Sequence, residues 1–150
     1  MSSAQSPTDD LAWLLDEFTQ RSPWVSHAVV VSADGLLLCR SRGLPEEPAQ
    51  ELTTLTAGLL GLTQDAAFLF EAGAVLQTIV EMAECYLFLA SIGNNSCLAA
   101  IAANDCEIGL VGHELALLVG RLGKHLTPPR RAERSDGNST DHVVARAVAI

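Results

Sequence analysis

Residues 48–70 (PAQELTTLTAGLLGLTQDAAFLF) have the apolar period of a helix but no charged face. At about 100° per residue, Leu52, Leu55, Leu59, Leu62, Ala66, Leu69 and Phe70 fall on one stripe of the width expected for a core-facing surface. The opposite side should then be solvated and charged. It carries instead Thr54, Ala57, Gly58, Gly61 and Gln64, with Asp65 the sole charge between Leu52 and Phe70. A helix apolar on one side and small on the other is expected to be covered twice, by its own sheet and by a second chain. Gly58 and Gly61 each cost roughly 1 kcal/mol against alanine in a helix interior, and close approach of another backbone is a reason to keep them. The plainer alternative, a helix surrounded by one large core, needs more chain than 150 residues supply.

This length fits one domain. Although 49% of residues are hydrophobic, no run approaches the ~18 uninterrupted apolar residues of a membrane span, so no membrane insertion is expected. The opening MSSAQSPTDD has neither a basic nor an apolar region, so no secretory signal is expected. Cys39, Cys85, Cys97 and Cys106 all lie in apolar stretches, which suits buried, reduced thiols and a cytoplasmic location. Residues 1–125 hold five basic against fifteen acidic side chains, a charge of −10, whereas residues 126–150 carry +1. An acidic domain without a basic stripe is a poor partner for nucleic acid or an anionic membrane. Thr127, Pro128 and Pro129 should stop the last helix, and the polar run RRAERSDGNSTDH after them has a disordered composition. The domain is therefore expected over residues 1–126, with a disordered tail over 127–150.

Local signals give the order of elements. Ser6 suits an N-cap, Pro7 suits N1, and Asp9 and Asp10 favour the positive end of a helix whose stripe is Leu11, Leu14, Leu15 and Phe18. Two β-rich runs, 25–32 and 36–41, flank Ala33-Asp34-Gly35, a hairpin signal because glycine supplies positive φ. After the long helix, with Gly73 at its exit, residues 75–82 alternate, residues 85–92 (CYLFLASI) are apolar throughout, and residues 97–103 follow a Gly-Asn-Asn-Ser turn. A last helix capped by Asn104 or Asp105 sets Ile108, Val111, Leu115, Leu118 and Leu122 on one stripe. The order is α-β-β-α-β-β-β-α. Tight turns within each strand group imply an α+β domain with one five-stranded antiparallel sheet, and CYLFLASI demands helices on both faces.

This order and several local sequences resemble the roadblock/dynein light chain family, within the roadblock–longin group. The resemblance is carried by LAWLLDEFTQRSPWVSHAVVVSADGLLLC (11–39), LTTLTAGLLGL (52–62), LQTIVEMAECYLFLASIG (76–93) and CLAAIAANDCEIGLVGHELALLVGRLGKHL (97–126). It covers residues 8–126 and rests on order and spacing rather than on one motif. It is strongest to bacterial members encoded beside a small Ras-like GTPase and a sensor-kinase-like protein. It implies a homodimer whose central helices pack side by side and whose third strands join into one sheet. The interface residues are then Thr54, Ala57, Gly58, Gly61 and Asp65 on the helix, with Val75, Gln77 and Ile79 on the strand. It further implies a non-enzymatic role: binding a Ras-like GTPase, with or without an effect on GTP hydrolysis, and membrane recruitment only through partners.

The chemistry-bearing residues do not assemble a catalytic, cofactor or metal site. Leu122-Gly123-Lys124-His125 lacks the first glycine and the Ser or Thr of a phosphate loop, so the chain is not itself the GTPase. His113-Glu114-Leu115-Ala116-Leu117 has leucine where a zincin needs its second histidine. Cys85 and Cys97 could approach across the last hairpin, where buried packing is the plainer role. Gly93-Asn94-Asn95-Ser96-Cys97 departs from a nucleophile elbow and reads as a turn. Cys106 and His113 would share a helix face about 10 Å apart, beyond hydrogen-bond reach. His27 reads as a strand residue rather than a ligand. Arg40 and Arg42 form the only closely spaced basic pair before the tail and are conceivable as an arginine finger. The competing function, a small-molecule sensor of PAS-like or profilin-like shape, would need a cavity with convergent polar groups, which the expected interior strands do not offer.

Overall fold

The computed structural model describes residues 7–126. Helix α1 (Pro7–Arg21) is followed by β1 (Val25–Val31), β2 (Leu37–Arg40), α2 (Glu46–Leu69), β3 (Gln77–Glu81), β4 (Cys85–Ile92), β5 (Ser96–Ala103) and α3 (Ile108–Leu126). This is the α+β order expected from the sequence. The five strands form one sheet in the order β2-β1-β5-β4-β3, antiparallel at every pairing. Ser6 and residues 127–150 lie outside the described residues, and with them the expected first cap and the tail.

Side-chain alternation divides the sheet into two cores. On one face Val30, Phe88, Leu98 and Ala100 pack against Leu15 and Phe18 of α1 and Val111, Leu115 and Leu122 of α3. On the other, Val29, Val31, Leu87, Leu89 and Ala99 pack with Ala49 at the start of α2. Both faces of β4 are thereby covered, which is why CYLFLASI needs no polar side. The β1–β2 hairpin turns through Ala33, Asp34 and Gly35, with Gly35 at φ 84° and its N–H donating to Ser32 O at 3.0 Å. That is the three-residue loop with a left-handed glycine, and Asp34 adds a side-chain bond with the Ser32 hydroxyl.

Several boundaries and faces differ from expectation. Helix α3 begins at Ile108, with Asn104 and Asp105 in the preceding turn. There the Asn104 amide donates to Ala83 O and ties two loops together, so neither residue caps the helix. Ile108 is partly exposed, whereas Val111, Leu115, Leu118 and Leu122 are buried. Helix α2 ends at Leu69, four residues before Gly73. The Glu71 N–H donates to Phe68 O and the Ala72 N–H to Ala67 O, a Schellman closure in which Glu71, at φ 52°, holds the left-handed position usually given to glycine. Cys85 is paired with Ala103 and Cys97 with Ser91, so the two cysteines sit at opposite ends of the β4–β5 ladder. Cys85 and Cys106 are partly exposed rather than buried, because each lies at the margin of the sheet.

The largest correction concerns the facing of α2. Its buried residues are Ala49, Thr53 and Thr56, while Leu52, Leu59 and Leu60 are partly buried. Leu55, Leu62, Leu69 and Phe70 point outward at 62%, 69%, 72% and 74% exposure. The expected core stripe is thus turned largely to the outside. Thr53 can face the core because its hydroxyl is satisfied within its own helix, Oγ1 donating to Ala49 O at 2.8 Å. Small side chains also let α2 lie close over the Val- and Ala-rich surface of β1 and β5.

Candidate interaction surface

The outward face of α2 is apolar and small together. Thr54, Leu55, Gly58, Gly61, Leu62, Asp65 and Leu69 are exposed, and Ala57 is half-buried. A Cβ added at Gly58 or Gly61 would meet nothing within 4 Å among the described residues, so their packing does not require glycine at either position. Ala57, by contrast, turns inward, and its Cβ lies 3.6 Å from the Cβ position of Gly35 in the β1–β2 turn. At the helix exit Phe68 is 87% exposed and Leu76, just before β3, is 75% exposed. Such a stretch exceeds the scattered single exposed hydrophobes of an ordinary surface.

Strand β3 is the other half of the expected interface. It pairs with β4 on one side, and its outer edge has no strand partner among the described residues. Val75 precedes the strand and is half-buried. Gln77 is opposite Ala90 and Ile79 opposite Phe88, which places both side chains on the α1/α3 face of the sheet, not on the α2 face. Gln77 is also engaged there: its Nε2 donates to Gly112 O in α3 at 2.8 Å. Helix residues Thr54, Gly58, Gly61 and Asp65 are therefore brought to one surface, whereas Gln77 and Ile79 could join it only through the strand's edge. A missed signal was the run Thr53, Thr56 and Thr63, whose spacing marks the inner face once threonine is allowed to be a core residue.

The other singled-out residues are dispersed. Arg42 is held at α1, its N–H donating to Asp16 Oδ1 at 2.6 Å and its side chain 3.7 Å from Asp16 Oδ2. Arg40, opposite Val29, lies on the α2 side of the sheet with its Nη1 buried and without a hydrogen-bond partner. His27 pairs with Ile101 within the sheet, and Cys106 precedes α3 rather than riding on it.

A profile of the Roadblock/LC7 domain matches residues 11–102. The chain belongs to the Roadblock/LC7 family. A Roadblock/LC7 domain from Streptomyces avermitilis is similar, with 33% identity and a TM-score of 0.72, covering 77% of this chain and 96% of its own. MglB of Myxococcus xanthus has the same fold at 21% identity and a TM-score of 0.71, over 77% of this chain and 93% of its own. Profilin IA of Acanthamoeba castellanii is a distant neighbour, with 14% identity and a TM-score of 0.50 over 77% of this chain and 98% of its own. No curated protein matches. As a Roadblock/LC7 chain, this protein falls in a regulatory adaptor family, and none of its described helices is long and apolar enough to cross a membrane.

Proposed function

We propose that this Roadblock/LC7 chain is a homodimeric, non-enzymatic scaffold that binds a small Ras-like GTPase within a signalling complex. The observation that carries the reading is the outer face of α2, where Gly58 and Gly61 leave open space beside exposed Leu55 and Leu62. Two such faces can approach closely, and the leucines of one fill the space left by the glycines of the other. The unpaired edge of β3 supports the same arrangement, since joining two such edges removes a row of unsatisfied backbone groups. An interface of this kind should bury about 1,200–2,000 Å² or more in total. The GTPase partner, and a sensor-kinase-like protein as a further component, come from the family resemblance over residues 8–126.

The test has two arms. Light scattering of the purified chain at micromolar concentration should give a dimer. Titration of that dimer into a small Ras-like GTPase from the same organism, loaded with GDP or a GTP analogue, should give binding that depends on the nucleotide. A monomer in the first arm sinks the interface; equal absence of binding in both nucleotide states sinks the partner. Thermal stabilisation by a small ligand in place of any GTPase binding would favour the sensor reading instead.

A further inference from the structure

Helices α1 and α3 run antiparallel, since Asp10 meets His125 (3.8 Å) and Glu17 meets Arg121 (3.3 Å). Near the C-terminal end of α1 they part around a cleft of about 200 Å³. Phe18, Leu117 and Leu118 form its apolar lining, and Ser22, Glu114, Arg21 and Arg121 supply its polar groups. Ser22 is only 7% exposed, and its Oγ has no hydrogen-bond partner. One carboxylate oxygen of Glu114, Oε1, is likewise buried and unpartnered. A buried acceptor left without a donor costs about 1–3 kcal/mol, so two around one small cleft are polar groups that a ligand seated there can satisfy.

The charges narrow the class of that ligand. Two guanidinium groups, Arg21 and Arg121, stand against two carboxylates, Glu114 and the rim residue Glu17. A simple anion would meet Glu114, a simple cation would meet two arginines, and a purely apolar molecule would leave all of them unanswered. A net-neutral dipolar molecule with an apolar body answers each. The volume is below the ~300–1,000 Å³ of sites for drug-sized ligands, so the molecule is small.

We propose that the α1/α3 cleft binds a free α-amino acid with an apolar side chain. Its ammonium donates to Glu114 Oε1 and the Ser22 hydroxyl, its carboxylate accepts from Arg21 and Arg121, and its side chain lies against Phe18, Leu117 and Leu118. Arg121 can serve while still paired with Glu17, because guanidinium offers five N–H donors. The site is on the layer opposite α2, so it is independent of the dimer and GTPase reading.

The experiment is calorimetric titration of the full chain with L-leucine, L-isoleucine and L-phenylalanine, beside N-acetyl-leucine, leucinamide and acetate. At least one free amino acid should bind, with affinity at least tenfold weaker for the acetylated and amidated forms and none for acetate. Glu114→Gln and Arg121→Gln should each weaken binding at least tenfold while leaving the circular dichroism spectrum and the oligomeric state unchanged. Amide shift changes on titration should centre on Ser22, Glu114 and Arg121. Absence of binding at millimolar amino acid overturns the proposal, as does binding that both variants leave intact or that maps to α2. Should a variant fail to fold, the acetylated and amidated ligands on the natural chain decide the matter alone.

Discussion

Thr53 and Thr56 are both buried beneath α2, yet their hydroxyls differ. Thr53 donates within its own helix, whereas Thr56 Oγ1 is buried without a partner. Replacing an unsatisfied buried hydroxyl by a methyl group of the same shape removes a desolvation cost. Thr56→Val should therefore stabilise the fold by about 1 kcal/mol and Thr53→Val should not, as read from urea midpoints at unchanged slope. Glu71 offers a second residue-scale test: it holds a left-handed backbone, and Glu71→Gly should gain about 1 kcal/mol by the same measurement. The cysteines separate by environment. Burial, and then the charge of Asp16, pushes the Cys39 thiol up to about 12, and burial pushes Cys97 up to about 11. A thiol raised in the fold contributes stability that is complete below the unfolded value of 9.0 and is lost as pH climbs towards those folded values. Stability should accordingly decline from about pH 9 upward, and a thiol reagent near pH 8 should label Cys85 and Cys106 before Cys39 and Cys97, checked by mass spectrometry of the modified peptides.

At the scale of elements, glycine in α2 separates two states of the same face. With open space at Gly58 in the chain itself, Gly58→Ala should raise helix stability by roughly 1 kcal/mol if that face meets water. Against a second backbone the added methyl should weaken the dimer instead, and Gly58→Arg or Gly61→Arg should give monomers or insoluble protein by light scattering. Gly112 in α3 is the opposite case. A Cβ there would lie 3.0 Å from Gln77 Oε1, so Gly112→Ala must displace the side chain that ties β3 to α3. Most of this architecture was readable from periodicity and turns: Asp34-Gly35 marked the hairpin, and CYLFLASI marked a strand covered twice. The facing of α2 was not, because a leucine stripe signals an apolar environment without saying which chain supplies it. Nor was the sidedness of Gln77 and Ile79, which depends on register against β4. The α1/α3 cleft was also invisible, since Ser22 and Glu114 are ordinary helix-end and helix-surface residues until two helices are placed side by side.

For the molecule as a whole, charge is uneven: −10 over residues 1–125 against +1 beyond them. A partner with a basic surface would be drawn to residues 1–125, and the rate of association should fall with salt as the Debye length shrinks from about 10 Å at 0.1 M to about 3 Å at 1 M. Stopped-flow association with the GTPase at two ionic strengths checks this, and an unchanged on-rate would count against electrostatic steering.

The middle of the sheet has a kinetic consequence. Strand β1 pairs with β5, joining Val25 to Ala102 and Val31 to Cys97, so the central ladder closes a loop that contains β2, α2, β3 and β4. Each neighbouring hairpin can form locally in microseconds, but neither core is complete until that distant pairing is made. Closing so long a loop costs entropy before any contact repays it, and topologies dominated by such pairings fold in the millisecond-to-second range. The rate-limiting event in folding should thus be the meeting of the two ends of the domain, with α2 carried inside the closing loop.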